Sequence, residues 1–114
     1  MNAEKLIYSI LNSDEAPAYV AESFLDDSNI PSPIWIYNNT FTENLRADDK
    51  VYARSYEFVV AYYSDETQNM REVVDNKCIE LEENGFICSG VYNFTNKYKP
   101  FFGLGFIATI QMKI

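Results

Sequence analysis

The stretch that most limits the fold is VYARSYEFVVAYY, residues 51–63. It reads as one long strand. Tyr52, Tyr56, Phe58, Val60 and Tyr62 fall on one face, and Val51, Ala53, Ser55, Glu57, Val59, Ala61 and Tyr63 on the other. Only Arg54 and Glu57 interrupt the apolar run. A strand apolar on both faces needs cover on both sides. In a chain of 114 residues, the second cover comes either from another subunit or from a second helix of the same chain. Both alternatives stay open here.

The neighbouring segments supply the first cover. Ser64 offers an N-cap, and Asp65 and Glu66 sit where the helix dipole favours acids. A helix is therefore predicted over residues 65–84, with Met70, Val73, Val74, Cys78 and Leu81 on its apolar side. Asn84–Gly85 is its C-cap signal. Glu72, Asp75, Glu80, Glu82 and Glu83 make a solvated outer face. A shorter amphipathic helix is predicted over 3–12, from Leu6, Ile7, Ile10 and Leu11. Residues 14–32, with Pro17, Pro31 and many acids, read as a connector with a helical turn near Ala18–Phe24.

IWIYNNTF, residues 34–41, reads as a strand, and TENLRADDK, residues 42–50, as a polar loop. FICSGVYNFT, residues 86–95, is a strand that Gly90 bulges or bends. NKYKP turns the chain into a final strand, where Phe102, Leu104, Phe106, Ala108, Ile110, Met112 and Ile114 alternate with Gly103, Gly105, Ile107, Thr109, Gln111 and Lys113. The expected fold is a single α+β domain over 1–114. It has an antiparallel sheet of about four strands, with the 65–84 helix and the short N-terminal helix packed on it.

Charge and composition narrow the function. The chain carries 17 acids and nine Lys or Arg, a net charge of −8. There is no basic stripe of the kind that binds nucleic acid by counterion release. An acidic surface repels DNA, which suits the wall of a DNA path as well as ordinary solubility. Nine Tyr and eight Phe suit both a sheet-rich core and a protein-binding surface. No signal peptide or membrane span is expected.

Chemistry is thinly represented. There is no His, the commonest general base and metal ligand. Cys78 and Cys88 lack metal spacing and read as small buried hydrophobes in a reduced compartment. GLGF, residues 103–106, is too short for a dinucleotide fingerprint. Asp26–Asp27 and Asp48–Asp49 lack the alternating spacing of a calcium loop. No catalytic, metal or cofactor residue is expected, and the chain does not read as an enzyme.

The order and spacing of these elements resemble the tail terminator and head–tail joining proteins of long-tailed bacteriophages. The resemblance rests on EKLIYSIL, on PIWIYNNTF after a proline-containing connector, on the long 51–63 strand leading into the 65–84 helix with its NGF end, and on the closing hairpin. It implies a virion structural subunit, assembled in the host cytoplasm into a six-fold ring at the head–tail junction. The ring would cap the tail tube, dock the head connector or neck proteins, and let DNA pass without binding it specifically. It further implies a subunit interface through Val59, Ala61, Tyr63 and Ile107. The loop residues Glu43, Asn44, Leu45, Arg46, Asp48, Asp49 and Lys50 would reach the tail tube or connector. Another neck protein, an assembly chaperone and a small ligand-binding α+β domain are the alternatives.

Overall fold

A computed structural model describes residues 2–20, 32–66, 68–93 and 102–114. The order is α1 (Ala3–Leu11), β1 (Ala18–Val20), β2 (Ile34–Ala47), β3 (Lys50–Ser64), α2 (Met70–Glu83), β4 (Ile87–Asn93) and β5 (Phe102–Lys113). The strands form one five-stranded sheet in the order β1-β2-β3-β5-β4. β1 runs parallel to β2, and every other pairing is antiparallel. The fold is therefore α+β, but the sheet is mixed and has five strands where about four antiparallel ones are expected from sequence.

The extra strand comes from the connector. Asn12 Oδ1 accepts the Ala18 backbone N–H at 3.0 Å. A tight turn forms where Ser13 N donates to the Ala16 carbonyl. Together these reverse the chain after α1, and the Trp35 N–H then bonds the Pro17 carbonyl at 2.9 Å. Ala18–Val20 thus pairs with Trp35–Tyr37 instead of forming a helical turn. The rest of the expected turn lies outside the described residues.

The expected loop at 42–50 is not a loop. β2 continues to Ala47 and β3 begins at Lys50, so Glu43, Asn44, Leu45, Arg46 and Lys50 are strand residues. Only Asp48 and Asp49 form the turn, and both hold left-handed backbone angles, φ 51° and 65°. Two-residue hairpins favour that geometry because it matches the strand twist, and Asp tolerates it. Polar composition misleads here, because this end of β2 is mostly solvent-exposed and only Leu45 is partly buried.

β2 also changes face partway along. Trp35, Tyr37 and Asn39 pair with Tyr62, Val60 and Phe58, but Phe41, Glu43 and Leu45 pair with Glu57, Ser55 and Ala53. A bulge between Asn39 and Phe41 causes the shift. The Asn39 side chain stitches it: Nδ2 donates to the carbonyls of Phe41 at 3.1 Å and Glu57 at 3.0 Å. Its Oδ1 accepts from the Thr42 hydroxyl at 3.0 Å.

Both helices lie on one face of the sheet. Ile7 and Leu11 of α1 and Met70, Val74 and Leu81 of α2 share one cluster with Trp35, Phe58, Val60, Phe106 and Ala108. The alternative in which α1 covers the opposite face of β3 is therefore not the arrangement found. Aromatic rings fill the layer. Trp35 lies 4.7 Å from Tyr62 between centroids and meets Phe106 edge-on at 6.5 Å. Phe58 meets Phe86 edge-on at 6.4 Å. Lys77 ties the two helices together. Its Nζ donates to the Ile10 carbonyl, near the end of α1 where the helix dipole favours a cation, and to Glu80, each at 2.9 Å.

α2 starts at Met70, not at residue 65. The Ser64 hydroxyl accepts the Glu66 N–H at 3.0 Å and so caps its own turn. Asp65 is drawn to Ser32, whose hydroxyl donates to Oδ1 at 2.7 Å and accepts the Asp65 N–H at 3.0 Å. The other end forms as expected. Gly85 takes φ 96°, and the Phe86 and Gly85 N–H groups bond the carbonyls of Leu81 and Glu82. The expected bulge at Gly90 and the antiparallel β4–β5 hairpin are both present. The NKYKP turn lies outside the described residues.

Candidate interaction surface

The sheet face away from the helices collects all four residues expected at a subunit interface. Tyr63 is opposite Gly103, Ala61 opposite Gly105, and Val59 opposite Ile107 across β3 and β5. On β2 the same rows continue into Ile34 beside Tyr63 and Ile36 beside Ala61. The four residues are not equally available. Ala61 is 5% exposed and Tyr63 2%, and Ile34 and Ile36 are buried with them. The Ala61 and Tyr63 end of this face is therefore already covered within the chain. Val59 and Ile107 are half-buried, at the boundary of the open part.

Two residues absent from the sequence-based set extend that open part. The Asn39 bulge turns Phe41 onto this face, next to Glu57, and leaves it 57% exposed. Ile87 on β4 pairs with Thr109 on the same face and is 70% exposed. Ile87 and Phe41 thus end a row that runs through Thr109 and Glu57, and the Val59–Ile107 pair lies in the row beside it, giving an apolar band across β4, β5, β3 and β2 that Glu57 interrupts. An apolar band left open on a sheet face marks an interaction site more often than scattered single residues do. Periodicity alone cannot place Phe41 there, because Trp35, Tyr37, Asn39 and Phe41 alternate as though they shared one face.

The residues expected to reach a tube or connector lie along the β2–β3 hairpin beyond this band. Arg54 Nε donates to Asn44 Oδ1 across the strands at 2.9 Å, and an Arg46 guanidinium nitrogen reaches the Asp49 carbonyl at 3.4 Å. Leu45 is half-buried opposite Ala53, and Glu43, Asn44, Arg46, Asp48, Asp49 and Lys50 are exposed. The hairpin is a paired arm of nearly balanced charge. α2 differs: Glu72, Asp75, Glu80, Glu82 and Glu83 outnumber Arg71 and Lys77.

Elsewhere, a shallow recess of about 350 Å³ is lined by Glu4, Lys5, Tyr8 and Tyr37. Burial raises the Tyr37 phenol, and the nearby Glu4 carboxylate adds to this. Among the described residues no group of three or more Cys, Asp or Glu is placed to hold a metal ion. No helix among them is long and apolar enough to cross a membrane. No protein-family model matches the chain, and no curated protein is significantly similar to it.

Proposed function

We propose that this protein is a structural subunit of a tailed-phage particle, a tail terminator or head–tail joining protein that works as a ring and carries out no chemistry. The observation that carries the reading is the apolar band of exposed Phe41 and Ile87 with half-buried Val59 and Ile107, on a sheet face that neither α1 nor α2 covers. A second copy seated on this band would complete the two-sided cover that β3 calls for. The β2–β3 arm would extend from the ring toward the tail tube or head connector. The acidic outer face of α2 would keep passing DNA from adhering. Localisation to the virion head–tail junction, after assembly in the host cytoplasm, follows from the same reading, as does a hexameric ring.

The test is a particle-incorporation assay with Val59→Asp. The variant protein should fold as a monomer and be missing from finished particles. Normal incorporation would remove the interface. The small ligand-binding alternative gains little from the Glu4–Tyr37 recess, where one carboxylate and one ammonium on adjacent helix positions do not converge on a ligand.

A further inference from the structure

The Gly85 turn folds β4 back against α2, and this brings the chain's two cysteines together. Cys88 Sγ donates to the Cys78 carbonyl oxygen at 3.8 Å. Each thiol also feels the other electrostatically. Both are free and half-buried. The turn between them is held by the Gly85 and Phe86 N–H bonds to the end of α2, and Phe86 is anchored in the core. The pair is therefore held close by its surroundings.

We propose that Cys78 and Cys88 are a latent disulfide, reduced in the state seen here and closed by a peroxide, which staples α2 to the edge strand β4. The Cys78 sulfur attacks one peroxide oxygen and the O–O bond breaks. One oxygen stays on sulfur as a sulfenic acid, and the other leaves as water with the Cys78 proton. The Cys88 sulfur then attacks the Cys78 sulfur. The S–S bond forms, the S–O bond breaks, and the departing hydroxide takes the Cys88 proton as a second water. Two thiols lose two electrons, and the peroxide gains them. Burial disfavours both thiolates, so the reaction is slow and the pair survives brief exposure. The proposal is independent of the ring reading.

The experiment uses the full chain with hydrogen peroxide, followed by alkylation, intact mass and peptide mapping. The expected product is a monomer that has lost two hydrogens, takes up no alkylating reagent and yields a cross-linked Cys78–Cys88 peptide. Closing so short a loop should shift the folding equilibrium toward the native state by on the order of a hundredfold. A reductant should reverse the shift, and Cys78→Ser or Cys88→Ser should abolish it. Two alkylated cysteines after treatment, a disulfide between chains, or separate sulfinic acids would each overturn the proposal.

Discussion

Val59 and Ala61 are two residues apart on one face of β3, yet they should answer the same substitution differently. Ala61 is buried within the chain. An aspartate there is an uncompensated buried charge and should cost about 3–5 kcal/mol, read by chemical denaturation. Val59 is only half-buried, and Val59→Asp should cost less, about 1 kcal/mol. Val59→Asp is therefore the clean probe of assembly, and failure of Ala61→Asp to assemble would reflect folding. Buried acids of another kind set the alkaline limit. Burial raises the Cys88 thiol to about 12 from 9.0, and also raises Cys78, Tyr37 and Tyr62 above their ordinary values. These groups are neutral when folded and ionise more readily once unfolded. Their stabilisation is complete below pH about 9 and is lost as pH rises toward 12. Thermal midpoints measured from pH 8 to 11 should fall, and Cys88→Ser should flatten part of that fall.

The elements were legible in sequence where an apolar face or a cap announces them. α1, the long β3, the Gly85 end of α2 and the alternating β5 all have such signals, and all form. The misreadings occur where local hydrogen bonds outweigh pattern. Ala18–Val20 is too short for periodicity to register, and Asn12 and the Ser13–Ala16 turn decide its path. Ser64 and Asp65 look like a helix start but are engaged by Glu66 and Ser32. The 42–50 stretch looks like a loop because the arm is mostly exposed and Leu45 opposite Ala53 is too little to set a pattern. The candidate surface was half legible. The faces of β3 and β5 place Val59 with Ile107, whereas Phe41 reaches that face only through the Asn39 bulge. Removing the stitch by Asn39→Ala should cost about 1–2 kcal/mol in chemical denaturation. It should also raise hydrogen exchange in 39–42 more than in the distal arm. Unchanged exchange there would mean that the bulge holds without the Asn39 side chain.

At the scale of the whole molecule, the described residues treat the two sheet faces differently. Both helices and most of the aromatic core lie on one face of the sheet. The other face is closed at the Ala61–Tyr63 end and open along the Ile87–Phe41 band. The β2–β3 arm projects at the far end, and the acid-rich face of α2 lies on the helical side. Such a molecule can seat a neighbour on the band and still present the arm elsewhere, as a ring subunit must. The most direct test of that role is gold-labelled antibody against the protein, viewed by electron microscopy on intact particles from the native host. Label at the junction of head and tail is the predicted result. Particles without label, from infected cells in which the protein is present, would contradict a structural place in the virion.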